Sequence, residues 1–155
     1  MKQSRRLDPL LRRAQDHEDE VARALAERQQ ALDMHLSRLE ELRRYAEEYA
    51  SQQMAGAQLA ATSPSQLMNR RAFLDRLDSA VQQQRQTVDR NRERVDAERA
   101  RLLLASRDKQ VLEQLAASYR AQEKQVEERR DQREMDDLGA RRVRQARLSG
   151  EDESP

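Results

Sequence analysis

Residues 10–55 and 65–138 contain neither glycine nor proline, which leaves uninterrupted stretches of 46 and 74 residues. Fully helical, they would extend roughly 70 and 110 Å at about 1.5 Å per residue. Both carry apolar residues at alternating steps of three and four. The first series runs Leu7, Leu11, Ala14, Glu18, Val21, Leu25, Arg28, Leu32, His35, Leu39, Leu42, Ala46 and Tyr49. The second runs Leu67, Arg70, Leu74, Leu77, Val81, Gln84, Val88, Asn91, Val95, Glu98, Leu102, Ala105, Lys109, Leu112, Ala116, Tyr119, Glu123 and Val126. Ten of the thirteen and twelve of the eighteen are apolar. A mean spacing of 3.5 residues kept up this long is the seam of a left-handed coiled coil.

The few helix breakers supply the punctuation. Asp8-Pro9 suits a helix start, with Asp8 as cap and Pro9 at the first helical position. Ser63-Pro64-Ser65-Gln66 reads as a capping box, in which Gln66 reaches back to Ser63. Gly56 to Ser63 is then a turn. A turn this short predicts two helices running antiparallel, with partner numbers summing to roughly 120. The expected fold is all-α: a long antiparallel two-helix coiled coil, its second helix longer and overhanging. The expected bounds are 1–148 for the hairpin, with helices at about 9–55 and 64–138 and a turn at about 56–63. Residues 149–155 are expected to be a disordered acidic tail. Past Tyr119 the second helix outruns the first, and past Val126 its seam turns polar at Arg130, Arg133 and Asp137.

Composition excludes several function classes. The chain has no cysteine, so a disulfide framework, a thiolate nucleophile and a thiolate metal site are all out. No run of about 18 apolar residues is present to span a membrane, and no apolar segment near Met1 suggests a secretory signal. Charged residues make up 38% of the chain, yet 30 basic and 29 acidic side chains nearly cancel. Balanced, finely mixed charge suits solvated helices better than disorder. No phosphate loop, paired-histidine motif or nucleophile elbow occurs. His35 falls on the seam as a polar register device, and His17 lies in a solvated acidic run, Asp16 to Glu20. The expectation is a non-enzymatic protein without cofactor or metal.

Three surface features remain. Tyr45, Tyr49 and Phe73 all fall near the turn, where folding back brings them together. With Leu42, Leu77 and Ala80 they form either a docking patch or a thickened core. Leu103 and Leu104 point away from the seam, with Val111 seven residues after Leu104 on the same line. Arginine supplies 27 of the 30 basic residues and clusters at Arg5-Arg6, Arg12-Arg13 and Arg141-Arg142. A nucleic-acid interface is weakened by the interleaved carboxylates and by the lack of aromatic side chains there.

The opening Arg5-Arg6-Leu7-Asp8-Pro9-Leu10-Leu11, the pair Tyr45 and Tyr49, and Asn69-Arg70-Arg71-Ala72-Phe73-Leu74-Asp75-Arg76-Leu77-Asp78 resemble the flagellar FliJ family. So does the run Glu127-Glu128-Arg129-Arg130-Asp131-Gln132-Arg133-Glu134-Met135-Asp136, and the likeness extends to about residue 145. The resemblance implies a stalk-like hairpin of the bacterial flagellar type III export apparatus. Such a protein would sit in the cytoplasm, peripheral at the inner membrane. Its implied partners are the hexameric export ATPase, the cytoplasmic domain of the export gate, export chaperones and the ATPase regulator, with no nucleic acid. It also implies that Leu42, Tyr45, Tyr49, Phe73, Leu77 and Ala80 dock on the gate. This chain departs from the family pattern at Arg38 and Gln84, the edges of that patch. The open end, with Arg5, Arg6, Arg141 and Arg142, is the implied ATPase contact. The alternatives are the stalk protein of a virulence secretion system, and a structural or nucleic-acid-binding coiled coil.

Overall fold

In a computed structural model, residues 2–59 and 63–152 are described, and the side chains of 57–59 and 151–152 are not. The chain forms a short helix α1 (Gln3–Arg6) and two long ones, α2 (Asp8–Leu59, 52 residues) and α3 (Pro64–Asp152, 89 residues). No strand occurs among the described residues. The two long helices pack together, so the all-α expectation holds.

Helix starts follow local chemistry. Pro9 has no N–H for the carbonyl of Arg5 and its ring crowds that carbonyl, so the helix must be interrupted just before it. The interruption is a single residue. Leu7 stays in the right-handed region (φ −81°, ψ −17°), and its carbonyl accepts the Leu11 N–H at 2.8 Å. Asp8 is therefore already the first residue of α2 rather than its cap, and Pro9 is the second. At α3 the hydroxyl half of the capping box is formed. Ser63 Oγ accepts the Gln66 N–H at 3.3 Å, and Pro64 takes the first helical position.

Both helices outrun their expected ends. Gly56 is helical and α2 continues to Leu59, so the turn is shorter than residues 56–63; residues 60–62 lie outside the description. α3 passes through Gly139 and Gly150 to Asp152, beyond the expected end at 138 and into the expected tail; residues 153–155 lie outside the description. An interior glycine costs only about 1 kcal/mol against alanine. Neither Gly139 nor Gly150 is joined by a proline that would add a second break. Ser149 also turns its hydroxyl inward and donates to the carbonyl of Gln145 at 2.9 Å.

The chain divides into two compact units. In the unit of residues 16–106, Val21, Leu39, Leu77, Val81, Val88, Val95 and Ala105 are buried. Leu39, Val81 and Val88 form one cluster against which Leu32, Leu36 and Leu42 pack. Two polar seam residues, Asn91 and Glu98, are buried among them. Asn91 donates to the Thr87 carbonyl at 2.8 Å. Glu98 Oε1 receives Arg101 at 3.4 Å, while its Oε2 is buried without a hydrogen bond. Seam positions in this unit are buried or half-buried save Arg28 and Leu67. Across it, Tyr49 meets Phe73 and His35 meets Gln84.

The unit of residues 1–15 and 107–155 has a lighter core, with Ala116 fully buried and Leu7, Leu11, Ala14, Leu112 and Tyr119 half-buried. Ser4 meets Glu123 and Lys2 meets Glu127. From residue 124 to 150 every residue is exposed. The seam thus ends at Glu123, and Val126 stands free of it.

Candidate docking surfaces

Near the end of α2, Tyr49 meets Phe73 while Tyr45 faces solvent, a division of labour that heptad counting alone does not resolve. The rings of Tyr49 and Phe73 lie 4.7 Å apart at 63°, an edge-to-face contact. Such a pair is worth about 0.5–1.5 kcal/mol beyond its burial. Phe73 is therefore part of the helix–helix contact, although heptad counting sets it beside the seam. Leu77 is buried (8% exposed), so it belongs to the core and not to an accessible patch. Leu42, Tyr49 and Ala80 are half-buried. Tyr45, by contrast, is 52% exposed. With Arg38, Glu41, Leu42 and Gln84 it lines an open hollow of about 440 Å³. Of the six expected docking residues, only Tyr45 presents its ring to solvent.

Gln84 is pinned at the edge of that hollow. Its Nε2 donates to the His35 carbonyl at 2.9 Å and stands 3.3 Å from His35 Nδ1. This pair joins α2 to α3 through polar atoms at a seam layer, the register role expected of His35. Leu36 was not on the seam series, yet it packs on the core.

The second surface belongs to the other unit. Ser4 is buried, and it clasps Glu123 twice: its hydroxyl donates to Oε2 at 2.7 Å and its N–H to Oε1 at 3.1 Å. Lys2 Nζ reaches Glu127 Oε1 at 2.9 Å, an exposed pair of small value. The Ser4 hydroxyl foremost, then its N–H, hold the Glu123 carboxyl below the usual glutamate range. Lys2 and Arg5 add to this, and partial burial opposes it. Nothing in the sequence pattern singles out this clasp, because Ser4 is a lone small polar residue in front of the first heptad.

A depressed carboxyl stabilises the fold only while ionised. The clasp is therefore at full strength above the ordinary glutamate range and is lost as pH falls through and below it. In NMR titrations the Ser4 amide is expected to report a midpoint below that of an ordinary glutamate. In Glu123→Gln the same amide should not titrate in that range. A wild-type midpoint at or above the ordinary value would show that the clasp does not hold.

The arginines nominated for the open end are all exposed, but the structure does not bring them together. Arg5 acts on the Glu123 carboxylate, whereas Arg141 lies eighteen residues beyond Glu123 along α3, roughly 27 Å at 1.5 Å per residue. Leu103, Leu104 and Val111 are exposed, as their off-seam positions require. His17 is exposed. Among the described residues no group of three or more His, Cys, Asp or Glu is placed to hold a metal ion. No described helix is long and apolar enough to cross a membrane.

Paired long helices with a heptad seam, polar layers and an extended exposed stretch of one helix define a coiled-coil protein. The chain belongs to the FliJ family: it matches the family described as Flagellar FliJ protein over residues 2–148, nearly its whole length. It is thereby a component of flagellar type III protein export. No curated protein and no solved structure shows a significant match.

Proposed function

We propose that this chain is a non-enzymatic coupling factor: an antiparallel coiled-coil hairpin that binds the hexameric export ATPase and links it to the export gate. The antiparallel reading rests on the contact pairs within each unit. Partner numbers on the first strand of helix fall as those on the second rise, from Tyr49–Phe73 to His35–Gln84 and from Ser4–Glu123 to Lys2–Glu127. The observation that carries the functional reading is the stretch 124–150, a helix with every residue exposed. A polar helix with no partner is marginal in water, so such a segment suits insertion into another protein's channel. The exposed Tyr45 and its hollow suit a contact with the gate's cytoplasmic domain, since tyrosine on a rim of mixed polarity is a common anchor. Export chaperones, the ATPase regulator and a peripheral position at the inner membrane belong to the same proposal.

The test uses both surfaces. The export ATPase of the same organism should hydrolyse ATP faster with the protein than without it. Tyr45→Ala should leave the melting temperature within a few degrees and keep this stimulation, while weakening binding to the gate domain about tenfold or more, the loss of one hot-spot contact. Unchanged gate affinity would remove Tyr45 from the interface. No stimulation and no binding by the wild type would remove the coupling role.

A further inference from the structure

The exposed stretch of α3 carries a pattern that the export reading does not use. Between residues 127 and 137 there are six carboxylates against three arginines. Between 138 and 150 there are four arginines and no carboxylate. The divide falls at Gly139, where an added Cβ would meet nothing within 4 Å. About that residue the segment is close to mirror-paired in number. Met135 stands as far before Gly139 as Val143 stands after it. The same holds for Asp136 and Arg142, for Gln132 and Ala146, and for Asp131 and Arg147.

The spacing places these residues on one face. Gln132, Met135, Gly139, Val143, Ala146 and Gly150 follow steps of three and four, a seam of small and apolar side chains. It does not continue the seam that ends at Glu123. Asp131 and Arg142 are eleven residues apart, three turns at 3.6 per turn, so they share one edge of this face, and Asp136 and Arg147 share the other. Met135 is 73% exposed and Val143 53%, so the face is uncovered.

We propose that residues 127–150 are a self-association segment, and that its occupant is the same segment of a second copy of this chain, antiparallel about a two-fold axis at Gly139. A two-fold axis makes the contact isologous, so it closes at two copies. Reversal sets Met135 against Val143 of the second copy and lets the two backbones approach at glycine. It also sets the carboxylate-rich half of each copy along the arginine half of the other, with Asp131 beside Arg142 and Asp136 beside Arg147 on matching edges. A parallel pairing would oppose like charges along its whole length and is disfavoured. The inference does not depend on the export role. If both hold, the pair and the ATPase compete for one segment.

The experiment is sedimentation of the full chain over a concentration series. The wild type should pass from monomer to dimer toward about 0.1 mM at low salt, an affinity suited to one short interface. Raising salt to about 1 M, where the screening length falls to roughly 3 Å, should shift it back to monomer. Asp131→Arg with Asp136→Arg should be monomeric, and so should Arg142→Glu with Arg147→Glu. Mixed in equal amounts, these two variants should form a heterodimer, because every edge contact then joins opposite charges. All four positions are exposed, so circular dichroism should show wild-type helicity. If either variant lost helicity, the single chain carrying all four exchanges should dimerise with itself. Two results would overturn the proposal: a wild type that stays monomeric throughout, or a dimer that survives in both charge-reversed variants.

Discussion

Replacing Val95 with Asp is expected to destabilise the unit of residues 16–106 by about 4 kcal/mol, the scale of an uncompensated buried charge. Val95 is 2% exposed and lies one helical turn from both Asn91 and Glu98, which are already buried. Glu98 already carries an oxygen without a hydrogen bond. A second carboxylate three residues away would add like-charge repulsion at a layer where Arg101 stands 3.4 Å from the Glu98 carboxylate. The melting midpoint should fall by more than about 10 °C. Val95→Ala should cost only about 2 kcal/mol, the loss of two methyl groups with partial collapse. Val111→Asp, at a 62% exposed position, should shift the midpoint little. A Val95→Asp protein that melts with the wild type would show that this seam is not the core.

Removing residues 124–155 is expected to return the export ATPase to its unstimulated rate while leaving the paired helices folded. The two outcomes separate because residues 124–150 are exposed and add no side chain to either core. The deletion removes one packing-neutral contact, Lys2 with Glu127, an exposed pair worth about 0–1 kcal/mol. It spares the Ser4–Glu123 clasp. Circular dichroism should lose signal in proportion to the helix removed, and the melting midpoint should stay within a few degrees. Full stimulation by the shortened chain would place the ATPase contact on the paired helices instead. The charge-reversed variants at 131, 136, 142 and 147 keep the segment's length. Comparing them with the deletion separates loss of self-association from loss of the ATPase contact.

The heptad spacing was legible because burial in a coiled coil is a function of position along the chain. The series from Leu7 to Tyr49 meets solvent fully only at Arg28, and that from Leu67 to Val126 only at its two end residues. The Ser63 cap was legible for the same reason, since a cap satisfies donors only three residues away. Helix ends were less so. Gly56, Gly139 and Gly150 look like stops in a sequence, but a glycine weakens a helix by too little to end one whose neighbours all favour it.

The sequence by itself determined the helices, their pairing face and where that face runs out, because each depends on residues three or four apart. Tertiary structure alone decided which aromatic side chain faces water. Tyr45 and Tyr49 lie one turn apart on α2 and Phe73 lies on α3, and only the approach of α3 to α2 brings Phe73 onto Tyr49 and leaves Tyr45 beside an open hollow. It alone joined Ser4 to Glu123, across more than a hundred residues of chain. Local periodicity carries no information about a contact whose partners are brought together by the docking of two helices.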